Sequence, residues 1–204
     1  MITIVDYGLG NIAAFANLYR RLNIPVTIAK TADELKGADK IVLPGVGHFD
    51  HAMELLEGSG MRETLDALVL RERVPVLGIC VGMQILARTS DEGKLPGLGW
   101  IKADVRWFKS IGGTNSMPLP HMGWNDVKPL MPSKLFSQLE TEARFYFLHS
   151  YYIECDRDED VLAVCNYGAD FACAVHAGNI YGVQFHPEKS HRFGTCLLKN
   201  FAEL

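Results

Sequence analysis

Apolar residues run in short blocks through the first half of the chain, separated by stretches in which they recur every three or four positions. The blocks ITIVD (2–6), PVTIA (25–29), KIVLP (40–44) and PVLGIC (75–80) have the length and near-continuous apolar character of strands covered on both faces. Between the first two, Ile12, Phe15, Leu18, Tyr19 and Leu22 share one helical face. Met53, Leu56, Leu65, Leu68 and Val69 predict further helix, interrupted around Gly58 and Gly60, and another helix is expected to begin in GMQILART (82–89). Strand alternating with helix predicts βαβ units and a parallel sheet. From Asp91 to Pro120 the periodicity fades, and loop is expected.

The second half reads differently. FYFLHSYYIEC (145–155), DVLAVCNYG (160–168), FACAVHAG (171–178) and NIYGVQF (179–185) are closely spaced strand candidates joined by short turns, as antiparallel pairs are. The chain closes on RFGTCLLKNFAEL (192–204), with Phe193, Cys196, Leu197, Asn200 and Phe201 on one helical face. Together these elements predict one domain over residues 1–204 with an α/β fold: a three-layer, open, mixed but mostly parallel sheet flanked by helices, with additional antiparallel strands in the C-terminal half. Ligands on such sheets sit beyond the carboxyl ends of the parallel strands, so chemistry is expected in the loops after residues 6, 44 and 80.

Composition narrows the function classes. The 204 residues carry 24 acidic and 20 basic side chains, a net charge of −4, which argues against a nucleic acid or an anionic membrane as partner. The longest apolar runs are broken by Gly and Pro and fall short of the ~20 residues that span a bilayer. No leader pattern precedes the first strand. The five cysteines, Cys80, Cys155, Cys165, Cys173 and Cys196, are an odd set without a C-x-x-C pair, which fits neither a disulfide framework nor a zinc site. No metal is expected, and the reducing cytoplasm is the expected compartment.

Three local patterns carry chemistry. Gly78-Ile-Cys80-Val-Gly82 ends an apolar strand and enters a helix pattern, the layout of a nucleophile elbow with cysteine at its apex. There a helix N-terminus would enrich the thiolate, although alone the pattern also suits a buried structural cysteine. In Gln184-Phe-His186-Pro-Glu188 an extended segment would turn His186 and Glu188 to the same side, giving a cysteine its base and an acid to orient that base. Alone, such a pair also suits a solvated salt bridge. Pro44-Gly45-Val46-Gly47-His48 is a glycine-rich turn whose backbone N–H groups can approach a substrate carbonyl, with the N–H of Val81 as companion donor. A fourth pattern is a decoy: Gly8-Leu-Gly10-Asn-Ile-Ala13 satisfies a loose dinucleotide fingerprint. The second strand, however, ends at Ala29-Lys30 without a ribose-binding acid, and Asp33 already lies in the next helix pattern.

PGVGHF, GICVGMQ, HMGWN, FYFLHSYY, GVQFHPEKS and LLKNF occur in this order over essentially the whole chain, which on these motifs resembles the class I (triad) glutamine amidotransferases. Within that family it is similar to the glutaminase subunits of imidazole glycerol phosphate synthases, enzymes of histidine biosynthesis. The resemblance implies a flavodoxin-like fold in which Cys80 is the nucleophile, His186 the acid and base, and Glu188 its orienting partner. Glutamine would be held by backbone at Gly45, Gly47 and Val81, by the Gln84 side chain, and by backbone at Ser150 and Tyr151. The resemblance implies no organic cofactor or metal, and ammonia passed to a (β/α)8-barrel cyclase subunit in a heterodimer. Asn11, His121, Trp124, Tyr151 and Lys189 would then lie at or near the docking face.

Two positions depart from the family pattern: Val81 replaces the usual Leu, and His48 stands where Ala or Thr is common. His48 is expected to face solvent. Similar subunits also serve synthases that aminate surface sugars, and a stand-alone cysteine hydrolase on the same fold is a further alternative. A pseudoenzyme would need a broken triad, and none of the three positions is broken.

Overall fold

The computed structural model describes residues 1–114 and 116–204. Its first half runs β1 (Ile2–Val5), α1 (Ile12–Arg21), β2 (Val26–Ala29), α2 (Ala32–Leu35), β3 (Lys40–Gly45), α3 (Phe49–Gly58), α4 (Arg62–Asp66), β4 (Val76–Cys80) and α5 (Val81–Gln84). The apolar blocks form strands because both faces are covered: every residue of β1 and β4 is buried. In α1 the buried residues are Phe15, Ala16, Leu18 and Tyr19, the face expected from the spacing. The chain steps from β1 to β2 in one direction and from β3 to β4 in the other, so connections of the usual right hand carry α1 and the α3–α4 pair over opposite faces of the sheet.

The rest of the chain contributes β5 (Thr89–Ser90), β6 (Ala103–Trp107), β7 (His121–Asp126), β8 (Lys128–Pro129), β9 (Arg144–His149), β10 (Tyr151–Cys155), β11 (Val161–Asn166), β12 (Asp170–Ala177), β13 (Ile180–Val183) and α6 (His191–Glu203). The main sheet has the order β2-β1-β3-β4-β13-β12-β10-β6-β5, with β11 on β12 and β8 on β11. From β2 to β13 all neighbours are parallel. Beyond β13 the pairs β13–β12, β12–β10, β12–β11 and β10–β6 are antiparallel, and β7 and β9 form a separate antiparallel ribbon. The parallel centre with an antiparallel flank is the predicted architecture.

Four local expectations need correction. The helix after Cys80 is only Val81–Gln84, because the carbonyls of Ile85, Leu86 and Ala87 accept from Leu98, Ile101 and Gly99 instead of propagating the helix. The apparent single strand 145–155 is two. Phe145, Phe147 and His149 point inward, then the phase shifts at Ser150 and Tyr152 and Ile153 are buried, so β9 leaves the ribbon as β10 enters the main sheet. The stretch read as loop holds β6, whose polar residues Asp104 and Arg106 are matched by ion pairs to Arg88, Asp91 and Glu154. Helix α6 buries Gly194, Leu197, Leu198 and Phe201, while Asn200 lies at the margin and its amide donates to the Leu135 and Ser137 carbonyls.

Candidate active site

The loops at the carboxyl ends of β3, β4 and β13 meet over a cavity of about 760 Å³. Cys80 is the last residue of β4 and sits at φ 56°, ψ −116°, a backbone conformation that L side chains rarely adopt and that points its thiol out of the strand-to-helix bend. The bend is possible only because small residues flank it: a Cβ on Gly82 would strike the Leu43 carbonyl oxygen, and one on Gly78 would lie 2.6 Å from the Gly82 carbonyl oxygen. A four-residue helix has little macrodipole, so the activation expected from a helix N-terminus is small here. The imidazole of His186 takes over that role.

His186 and Glu188 meet as expected, but not on a strand. Strand β13 ends at Val183, and Pro187–Lys189 form a 3-10 turn that folds the carboxylate back onto the ring, Glu188 Oε1 to His186 Nδ1 at 3.0 Å. Both side chains are nearly inaccessible, 3% and 2% exposed. A carboxylate only accepts, so Nδ1 carries the proton and Nε2 is the basic nitrogen. Nε2 has no other partner among the described side chains, which leaves it for the Cys80 proton. Burial by itself disfavours charge on this ring, but the Cys80 sulfur and the Glu188 carboxylate outweigh it and hold the imidazole pKa well above its ordinary value.

Gly47, Val81, Gln84, Ser150 and Tyr151 line the same cavity as Cys80 and His186. Gly45 lies beneath it, paired in register with Cys80. The Val81 N–H begins a helix and has no intrahelical acceptor, so it is free for an oxyanion. Gly47 requires glycine for its φ of 92°, since nothing crowds a Cβ there. Only Val46 and Gly47 are loose in this turn: Gly45 is fixed to the sheet, the His48 ring caps α3 by accepting from the Asp50 N–H at 3.2 Å, and the Phe49 N–H donates to Glu92 at 2.9 Å. His48 is exposed, and its capping role was not read from the sequence.

The Gln84 side chain is partly committed inside the protein. Its Nε2 donates to the Tyr151 carbonyl at 3.3 Å and to Gln184 Oε1 at 3.0 Å, so it braces the cavity wall as well as lining it. Gln184, whose Oε1 is thus an acceptor, turns its own Nε2 to Cys80 Sγ at 3.8 Å. The sequence puts Gln184 in the His186 motif without marking a role for it. Nor does it mark Glu92, a carboxylate on the cavity wall, or Tyr7, whose buried hydroxyl has no partner among the described residues and whose phenol pKa is pushed up by burial and by Cys80.

The residues expected at a docking face divide. Lys189 is exposed at the cavity rim over the Tyr146 ring, and Trp124 is 39% exposed and stacks on His191 with an interplanar angle of 2°. Met122, Leu148 and Trp107 extend this exposed apolar surface beside the cavity. Asn11 is exposed and also caps α1 by accepting from the Ala14 N–H. His121 does not face outward: it is 3% exposed, stacked between Phe147 and Tyr167. The glycines of the dinucleotide-like motif serve the backbone turn and, at Gly10, close packing. Both Gly8 and Gly10 have positive φ, and a Cβ on Gly10 would lie 2.8 Å from Pro44 Cβ.

A strained cysteine, a base with a free nitrogen, a carboxylate behind it and free backbone donors make up the equipment for acyl transfer through a thioester. Comparison with known proteins agrees. The family described as "Glutamine amidotransferase class-I" matches residues 3–204. The chain is 66% identical over 204 residues to the imidazole glycerol phosphate synthase subunit HisH of Bdellovibrio bacteriovorus and 52% identical over 204 residues to that of Leptospira borgpetersenii, with 100% of both chains covered in each case. A solved glutamine amidotransferase superposes with a TM-score of 0.72 at 19% identity, covering 99% of this chain and 97% of the other, a likeness of fold.

Proposed function

Because the chain belongs to the class I glutamine amidotransferases, we propose that it is the glutaminase subunit of an imidazole glycerol phosphate synthase, hydrolysing glutamine and passing the ammonia to a synthase partner in histidine biosynthesis. The observation that carries the chemistry is the convergence of Cys80, at its strained bend, and the His186–Glu188 pair on one cavity. His186 Nε2 takes the Cys80 proton, and the sulfur attacks the carboxamide carbon of glutamine. The Val81 N–H and the Val46–Gly47 peptide stabilise the oxyanion. The imidazolium then protonates the leaving nitrogen, the C–N bond breaks, and ammonia departs. Water, deprotonated by His186, hydrolyses the γ-glutamyl thioester to glutamate and returns the thiol. Backbone at Ser150 and Tyr151 and the Gln84 side chain hold the substrate, and the Glu92 carboxylate on the wall suits its α-ammonium.

The partner in this reading is a (β/α)8-barrel cyclase subunit that docks on the exposed surface around Trp124, Lys189, Met122 and Leu148 and receives ammonia without its entering solvent. In this reading the pair works in the cytoplasm. The test is to purify the chain with the cyclase encoded by the same genome and to measure glutamate and imidazole glycerol phosphate together. Equal yields of the two support the reading, and glutamate release that is indifferent to the cyclase, with no product formed, overturns it.

A further inference from the structure

Behind the Ser150–Tyr151 edge of the cavity runs a chain of polar side chains that the triad does not use, buried at His149 and His121 and half-buried at Asn125. His149, the last residue of β9, lies with Nδ1 2.8 Å from the Tyr151 carbonyl oxygen and Nε2 2.9 Å from His121 Nδ1. His121 Nε2 lies 3.3 Å from Asn125 Nδ2, which also donates to the Asn166 carbonyl at 2.8 Å. The Asn125 amide cannot be turned over, since its Oδ1 accepts from the Asp126 N–H.

Elementary donor and acceptor rules place every proton in this chain. The Tyr151 carbonyl only accepts, so His149 Nδ1 carries hydrogen and its Nε2 is bare. His121 must therefore donate from Nδ1, which leaves its own Nε2 bare and accepting from Asn125. Both rings are neutral: burial pulls the His149 pKa down to about 3 and that of His121 to about 4. The direction of donation is thus set from Asn125 to the Tyr151 carbonyl, and the stacking of His121 between two aromatic rings prevents it from turning away.

The far end of this chain is the part that matters for recognition. The N–H and C=O of one strand residue point to the same side. Phe108 N–H, just past β6, donates to the Ser150 carbonyl, just before β10, at 3.0 Å; this bond flanks the Tyr151–Trp107 pair and directs both polar groups of Tyr151 away from β6. The Tyr151 carbonyl is held there by two donors, His149 Nδ1 and Gln84 Nε2. Fixing it also fixes the aim of the Tyr151 N–H.

We infer that Asn125, His121 and His149 are positioning residues for substrate recognition: a one-directional relay of hydrogen bonds, from the β7–β9 ribbon to the Tyr151 carbonyl, that sets the backbone edge against which glutamine binds. The inference rests on the proposed glutaminase reading. It assigns His121, buried and absent from the cavity wall, an effect on substrate affinity that reaches the cavity only through His149.

The test uses the intact chain and two reagents that react at Cys80, read out by mass spectrometry of the Cys80 peptide. 6-Diazo-5-oxo-L-norleucine must be recognised as a glutamine analogue before it alkylates, whereas iodoacetamide needs only the reactive thiol. His121→Leu removes the donor to His149, and we expect the half-saturating concentration of the diazo compound to rise about tenfold, the equivalent of roughly one buried hydrogen bond. Iodoacetamide labelling should stay within about twofold in that variant, because Cys80, His186 and Glu188 are untouched. His121→Asn puts an amide N–H where Nδ1 was and should restore affinity to within about threefold. Asn125→Ala, further from the cavity, should give a smaller loss than His121→Leu, and it serves as the measurement if the leucine variant does not fold. Unchanged diazo affinity in folded His121→Leu, or equal impairment in the leucine and asparagine variants, overturns the relay. Failure of the wild-type chain to be labelled by the diazo compound while iodoacetamide labels Cys80 overturns the glutaminase reading instead.

Discussion

Replacing Glu188 by glutamine changes charge while preserving shape, and the structure indicates how much that should cost. The amide oxygen can accept from His186 Nδ1 as the carboxylate oxygen does at 3.0 Å, and the amide NH2 would occupy the place of Oε2, which has no partner among the described residues. What disappears is the charge-assisted part of a buried hydrogen bond. Bonds to a charged group contribute about 1.5–3 kcal/mol and neutral ones about 0.5–1.5, so the imidazolium loses about 1–2 kcal/mol of stabilisation. If that difference is felt fully in the transition state, kcat/KM falls about 5- to 30-fold. The Glu188 carboxylate helps hold the His186 pKa above its ordinary value. Without it the ring deprotonates at lower pH, and the alkaline limb of the rate profile should move toward neutrality. Stability follows the same sign. A raised folded-state pKa contributes stability that is fully present below the ordinary histidine value and is lost as pH rises through the raised one, so wild type should exceed the variant in Tm by more near pH 6 than near pH 9. The assay is glutamate release across pH with Tm measured in parallel. Loss as complete as in Cys80→Ala would refute a purely orienting and stabilising carboxylate, and an unchanged rate with an unmoved alkaline limb would refute the use of the pair altogether.

Cys80→Ala should abolish glutamine hydrolysis yet leave the complex able to make product from ammonium salts, with a yield that rises with pH as NH3 replaces NH4+; absence of ammonium-driven synthesis would mean that the chain does more for its partner than deliver nitrogen. The neutral pair His121 and His149, with pKa values lowered to about 4 and about 3, should make the fold acid-sensitive. The unfolded chain takes up protons below its ordinary histidine pKa of about 6.5 while the folded chain refuses them, so stability falls with pH by a few kcal/mol. The decline in Tm from about pH 7 to about pH 4 should be shallower in His121→Asn, and parallel curves would contradict the assignment. Trp124→Ala should lower product formed per glutamate released in the complex while leaving hydrolysis intact, and a ratio that stays at unity would remove Trp124 from the docking face.

The parts of this molecule that could be read in advance are those whose neighbours along the chain decide their state. Strands β1, β3 and β4 announce themselves because burial on both faces demands continuous apolar residues, and the bend at Cys80 because only glycine tolerates the contacts at positions 78 and 82. The misreadings share the opposite cause. Strand β6 alternates apolar and charged residues, and its charges are balanced by Arg88, just before β5, and by Glu154 on β10. His121 reads as a surface residue until Phe147 and Tyr167 close on it. Gln184 acquires its orientation from Gln84, which is 100 positions away. Even the correct pairing of His186 with Glu188 comes from a tight turn after Pro187, not from the strand periodicity that suggested it.

The turn between β3 and α3 confines any motion near the reacting carbon to a very small mechanical element. With Gly45 locked to Cys80 in the sheet and the Phe49 N–H held by Glu92, a reorientation of the proposed oxyanion donor needs only the Val46–Gly47 unit to rotate, and neither the sheet nor the helix must follow. Carrying a two-state peptide from 1:99 to 99:1 takes about 5.5 kcal/mol. Val46 is 39% exposed and lies on the cavity wall, so a partner that covers this one side chain grips a short lever with its fulcrum in the sheet and its other end in the cavity that holds Cys80.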